Sequence, residues 1–335
     1  PDSQLELNRR VRTAANLVFA TTGAATRRNL FVDAAQEPFD WVVIEEAGRA
    51  WPTELAIPLV RGVRWTLVGD HAQIGAYSRA DVERFLENLG GYDSTEIQAM
   101  YKARSRHSEN FGAFARFFRE PGQGPTKVLS EQYRMDASIS SVIGDVFYAN
   151  TGGLVTKRAQ APHPLTAPGF LLNRRMVWID TGHTERSVGF WANDYEASIC
   201  SDLVRSMRPE PGKPGHPSLA IITPYRDQVQ ALERRLSEHA SRISTVDRFQ
   251  GREADIVVAS LVRDRVRPMS SPVSSVGFLA EPARINVMLS RARELLIVVG
   301  RLDLFAHSAG PHWHAVTDRF VREGWVVKAE NWKEH

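Results

Sequence analysis

Seven short apolar runs recur along the chain and constrain its fold more than any other feature: "NLVFATT", "WVVIEEA", "WTLVGD", "MVWIDTG", "SLAIITPY", "ADIVVASLV" and "ELLIVVG". A half-buried strand alternates apolar and polar residues. These runs instead stay apolar and end in polar turns, the pattern of parallel strands covered on both faces. Stretches with helical apolar spacing, such as "RDQVQALERRLSEHA" and "ANDYEASICSDLVRSM", lie between several of them. That alternation predicts an α/β fold, with parallel sheets flanked by helices. A chain of 335 residues exceeds one typical domain. The glycines and prolines of "REPGQGPTK" break both helix and strand near its middle, so the expected division is residues 1–122 and 123–335. "KRAQAPHPLTAPGF" and "RPEPGKPGHPS" read as surface loops of the second half, and residues from Ser78 to Phe118 as charged and helical.

In an open parallel sheet, ligands gather at the carboxyl ends of the strands. The run Trp41, Val42, Val43, Ile44 leads directly into Glu45 and Glu46, and "WTLVGD" leads into Asp70, His71 and Gln73. Two strands thus deliver carboxylates and an amide to one edge. There a carboxylate can hold magnesium, a second can orient a water, and a glutamine can sense a terminal phosphate. Each feature alone also fits an ordinary solvated or capped turn.

The second half carries further polar residues beside strands. Tyr133 and Arg134 in "LSEQYRMDASIS" offer an aromatic face for a purine and a planar, permanently charged fork for phosphate. Gly251 and Glu253 precede "ADIVVASLV", and Arg284, Arg291 and Arg293 surround the apolar segment before the last run. Singly, a surface arginine beside a core tyrosine, or a solvated helix end, accounts for each.

The composition, 43% hydrophobic and 24% charged, is that of a soluble globular protein, and no apolar run approaches the roughly 20 residues that span a bilayer. Cys200 is the only cysteine, which excludes an internal disulfide and suits a reducing cytoplasm. No charged n-region followed by a long apolar run opens the sequence, so no export signal is expected. The net charge of +3 permits nucleic-acid binding without arguing for it.

Taken together and in order, "IEEAGRA", "GDHAQI", "EQYRM", "IITPYRDQ", "TVDRFQGREADIVV" and "RINVMLSRAR" resemble the motif set of superfamily 1 helicases, closest to the branch of the nonsense-mediated-decay RNA helicase. The resemblance runs from about Asn16 to Gly300. It implies two RecA-like P-loop NTPase domains, the first incomplete at its N-terminus, using ATP and Mg2+ to move along single-stranded DNA or RNA. By that resemblance Glu45 is the magnesium-side acid, Glu46 orients or deprotonates the attacking water, and Gln73 links the γ-phosphate to the strand. Tyr133 stacks on adenine, Arg134 contacts phosphate, Gly251 allows close backbone approach, Glu253 meets the ribose, and Arg291 is the arginine finger. Thr21, Thr223, Tyr225 and Thr245 line the nucleic-acid track.

Two departures stand out. Glu45 occupies the place of the family's usual aspartate, and magnesium tolerates geometric error poorly. No G-x-x-x-x-G-K-[ST] occurs, since the only Gly-Lys pair, Gly212 and Lys213, is followed by Pro214. The expectation is a fragment or subunit completed by an N-terminal P-loop-bearing segment, and inactive alone. The rivals are a nucleic-acid-binding module without turnover and an ATPase switch that unwinds nothing.

Overall fold

The computed structural model describes residues 6–7, 10–11, 14–25, 38–76, scattered positions between 84 and 98, 127–183, 191–265 and 275–332. The chain divides into two compact units, Pro1–Lys127 and Val128–His335. The expected linker "REPGQGPTK", except for Lys127, lies outside the described residues, as does most of the segment Ser78–Phe118.

In the first unit, β1 (Phe39–Ile44) pairs in parallel with β2 (Gly62–Leu67), and α1 (Pro52–Leu59) connects them. Pro52 opens α1 at a position where a missing N–H costs nothing, and Glu54 reaches back to the Trp51 amide at 2.8 Å. Ile44, Ala47 and Leu55 form a small core with Val42, Leu59 and Leu67. The expectation of cover on both faces is met on one only: Trp41 and Val43 are more than half exposed, because the described sheet has two strands and α1 packs on the face of Val42 and Ile44. "NLVFATT" departs further. Residues 17–21 form no strand, and Phe19 is 93% exposed. An apolar run becomes a strand only where a neighbour supplies the hydrogen-bond ladder, and none does so among the described residues.

The second unit contains β3 (Glu131–Gln132), α2 (Ala137–Phe147), β4 (Val155–Thr156), β5 (Met176–Asp180), α3 (Asp194–Ser206), β6 (Leu219–Thr223), α4 (Arg226–Arg235), β7 (Ile243–Thr245), α5 (Val246–Phe249), β8 (Ala254–Ser260), α6 (Pro282–Leu289), β9 (Ala292–Gly300), α7 (Leu302–Ser308), α8 (Pro311–Arg322) and β10 (Val326–Lys328). Six strands form one parallel sheet in the order β10-β5-β9-β8-β6-β7. Both faces are covered, as unalternating strands require. Val177 and Ile179 of β5 join Ile199 and Leu203 of α3 and Leu232 of α4 in one core. Between them Trp178 points to the other face, where it packs edge-on against Trp313 and Phe320 of α8. Its indole N–H donates to the Gly300 carbonyl at 2.8 Å, so the polar atom of this fully buried side chain is satisfied.

Candidate nucleotide and nucleic-acid sites

In the first unit the chain leaves β1 through a tight turn. Glu46 sits at φ 53°, ψ 35°, a left-handed conformation that L-residues with side chains adopt rarely and at a cost. The turn is held from both sides: the Ala47 amide donates to Val68 O at 2.9 Å and the Val68 amide to Ile44 O at 2.8 Å. These bonds tie the end of β1 to the loop after β2, where Asp70 accepts from the Ala72 amide and from Gln73 Nε2 at 2.8 Å. Glu45, Glu46 and Gln73 therefore share one sheet edge, with both glutamates exposed. The hold of Asp70 on Gln73 had a signal in the sequence, an Asp three residues before an amide in a turn. Thr21 lies in the same unit and caps a short 3-10 turn by accepting from the Ala24 amide at 3.3 Å.

The second unit gathers a group of residues where β8 and β9 begin. Arg134 Nε lies 2.6 Å from Glu253 Oε2, and Arg293 Nε approaches the other oxygen of Glu253 at 3.8 Å. Gly251 takes φ 77°, which glycine reaches without a Cβ penalty. Tyr133 is exposed and its hydroxyl donates to Glu131 Oε2 at 3.1 Å. That bond to a carboxylate raises the phenol's pKa above its ordinary value. A cavity of about 480 Å3 opens beside Glu253, lined among others by Lys213, His216, Arg242, Phe249 and Arg252.

Arg291 belongs to this group by position but not by exposure. It is 1% exposed. Its Nε donates to Val287 O at 3.0 Å and its Nη2 to Ser290 Oγ at 3.2 Å. In this conformation the fork serves the end of α6 and presents no open face for a phosphoryl group.

The strand-binding candidates lie at the opposite ends of the strands. Thr223 closes β6, Thr245 closes β7, and the two are register partners. Thr245 is half-buried. Thr223 is fully buried, with its hydroxyl unpartnered among the described residues, and Tyr225 is almost as deeply covered. The motif thus reaches the edge as expected, but the hydroxyls of Thr223 and Tyr225 do not form its outer surface.

Beneath that edge lies a polar network that the motifs did not reveal. Glu196 is fully buried. Its carboxylate oxygens accept from Ser260 Oγ and the Val262 amide, both at 2.8 Å, and from Asn193 Nδ2 at 3.2 Å. Gln228 Nε2 donates to Ser260 Oγ at 2.9 Å, while its Oε1 accepts from the Asn193 amide at 2.8 Å. Burial pushes the Glu196 carboxyl up to about 8, against the opposing pull of the Val262 and Ser260 donors and with help from the Asp264 charge. The available sequence signal was Asn193-x-x-Glu196 at the start of a helical stretch, a capping-box spacing. Asn193 Oδ1 does cap α3, accepting from the Glu196 amide.

AAA domain families match residues 111–303, more than half of the chain, and residues 2–77. The ATP-dependent helicase upf1 of Schizosaccharomyces pombe is 28% identical, over 94% of this chain and 32% of its own length. The DNA-binding protein SMUBP-2 of Mesocricetus auratus is 29% identical, over 86% of this chain and 27% of its own. A solved arterivirus nonstructural protein 10 (helicase) is 16% identical with a TM-score of 0.35, covering 79% of this chain and 40% of that one. The chain spans about a third of the length of the curated relatives it matches. Motif order, the family matches and the curated relatives agree: the chain belongs to the AAA domain family and, within it, to the superfamily 1 helicases of the nonsense-mediated-decay RNA helicase branch.

Proposed function

We propose that this chain is part of an ATP-dependent helicase or translocase, coupling ATP hydrolysis to movement on single-stranded DNA or RNA. One observation carries the reading. The second unit's candidate nucleotide residues cluster where β8 and β9 begin, and its candidate strand residues where β6 and β7 end. A single sheet thus joins two edges suited to different ligands.

ATP, when bound, would supply the γ-phosphoryl group and magnesium would offset its charge, a role for which one or two carboxylates suffice. Glu45, exposed at the end of β1, suits such a site, which needs no cage of three protein ligands; none occurs among the described residues. Glu46 orients the attacking water, its left-handed backbone fixing where the carboxylate emerges. Gln73, held by Asp70, senses the γ-phosphate. Tyr133 stacks on adenine and Glu253 meets the ribose, while the positive φ of Gly251 keeps its backbone accessible. Arg134 exchanges its bond to Glu253 for phosphate. Arg291 acts as the arginine finger once its fork leaves the carbonyl of Val287. Thr21, Thr223, Tyr225 and Thr245 form or support the track of the single strand.

The β- and γ-phosphate cradle with its lysine comes from an N-terminal P-loop-bearing segment or subunit, since the sequence holds no such motif. The 335-residue chain by itself is therefore expected to bind ATP weakly and hydrolyse it negligibly. Robust hydrolysis by the purified chain would overturn that expectation. The same missing motif favours the second reading, a binding module or ATPase switch. Joined to a P-loop segment, a helicase or translocase hydrolyses ATP faster with a single strand and then displaces a duplex or moves along the strand. A switch shows the stimulation without movement, and a binding module shows neither.

Glu45 gives a separate test in the completed protein. Glu45→Asp should retain or raise turnover by restoring the family's usual reach, whereas Glu45→Ala should abolish magnesium-dependent turnover. Hydrolysis measured against magnesium concentration reads both, and identical curves for all three proteins would remove Glu45 from the metal site. Among the described residues no helix is long and apolar enough to cross a membrane, and the reduced, buried Cys200 suits the cytoplasm proposed as its location.

A further inference from the structure

The edge where β6 and β8 end carries an aromatic cluster of which the assigned roles use Tyr225 alone. Trp191 stands just ahead of the Asn193 cap of α3 and remains 45% exposed. Its ring meets Tyr225 edge-on at 4.8 Å between centroids, and Tyr225 in turn meets Phe278 at 5.1 Å. Below them lies a charge. The Arg263 guanidinium sits 4.9 Å from the Trp191 centroid and 5.0 Å from that of Tyr225, is itself only 6% exposed, and donates from Nε to the Tyr225 hydroxyl at 2.8 Å. Gly277, at φ 62°, allows this approach, because a Cβ there would lie 2.8 Å from the Tyr225 oxygen. The exposed indole is thus backed by the Tyr225 ring, itself braced by Phe278, and by a cation.

We propose that Trp191 is a stacking platform for one unpaired base of a single-stranded nucleic acid, with Tyr225 and Arg263 as the residues that position it. The inference rests on the proposed strand-binding role of this edge and specifies how the edge grips a base. Three features select a base. A π-face accepts any base without reading its sequence. The guanidinium beneath adds positive potential towards a polyanion, and its contacts to both rings fix the indole so that little rotamer entropy is lost on binding. The position also explains why Tyr225 is buried although its motif belongs to the strand track: it carries the platform instead of being the platform.

The test compares the 335-residue chain with its Trp191→Ala, Trp191→Leu and Trp191→Tyr variants. Each is titrated at one salt concentration with an oligothymidylate and with the same backbone made abasic. Stacking on one base contributes about 1–3 kcal/mol, a loss of roughly 5- to 150-fold in affinity. Trp191→Ala and Trp191→Leu should bind the base-bearing strand that much more weakly and lose the preference for it over the abasic strand, while Trp191→Tyr keeps most of it. Leucine preserves apolar bulk, so the proposal remains testable if alanine loosens the fold. Full affinity and an unchanged base preference in Trp191→Leu would overturn the platform and leave the strand-binding reading standing. No binding of either strand by the parent chain would overturn both.

Discussion

In the protein completed by a P-loop segment, Arg291→Ala and Glu46→Gln are each expected to lower ATP turnover by about a thousandfold or more, the scale of an arginine finger or a water-orienting acid acting on the transferring phosphoryl group. The two variants should differ in what else they lose. Glu46 is exposed at the end of β1, and Glu46→Gln keeps its size and should melt with the parent. Arg291 is buried and bonds to Val287 O and Ser290 Oγ, so Arg291→Ala leaves buried acceptors unpaired at a cost of about 1–3 kcal/mol. Turnover per folded molecule separates chemistry from stability. Arg291→Lys sharpens the comparison, because it keeps the charge without the fork. Parent-like turnover per folded molecule in Arg291→Ala would reduce the residue to a support for the end of α6.

The second large effect concerns pH. Glu196 has a carboxyl pKa of about 8 when folded, against 4.5 for the ordinary group, so between those values the folded state holds a proton that the unfolded chain releases. A group raised in this way stabilises fully below its unfolded pKa, and the contribution fades as pH climbs to the folded value. At about 1.4 kcal/mol per pKa unit, unfolding of the second unit should become easier by an amount of the order of 4 kcal/mol between about pH 4.5 and pH 8. In Glu196→Gln, which cannot titrate and still accepts from Ser260 or the Val262 amide, that share of the slope should vanish, leaving the contributions of groups such as His239 and His312. Urea unfolding at several pH values measures both proteins. An equal slope in each would mean that Glu196 folds as a charged group and that its donors outweigh its burial.

The strands of the second unit were legible because burial on both faces removes alternation, and "MVWID", "LAIIT", "ADIVVAS" and "ELLIVVG" all formed where the pattern put them. "NLVFATT" has the same local character and failed, since ladder pairing is a property of a neighbour and not of the run itself. Motif order brought Glu45, Glu46 and Gln73 to one edge of one unit and Arg134, Gly251 and Glu253 to one edge of the other. Side-chain burial was out of reach: nothing in "IITPYRDQ" tells that Tyr225 faces inward, because that depends on Arg263 and Trp191, both distant in sequence. The Glu196 network escaped for a similar reason. Its members come from α3, α4 and the end of β8, and only the cap spacing of Asn193 and Glu196 is local.

Strand β8 runs between the two edges of the sheet. Glu253 precedes it, Val262 and Arg263 follow it, and it is hydrogen-bonded along its length to β6 on one side and β9 on the other. Its seven residues span roughly 20 Å at about 3.3 Å each, between flanking ladders that resist sideways bending. A rod clamped in this way does not absorb a push at its tip; it passes the push on. Apart from the register irregularity between Ala254 and Ile256, the give in the rod lies at its ends, the turn at Gly251 and the left-handed step at Val262, and the step at Val262 sets how much of a displacement at Glu253 arrives beneath the indole.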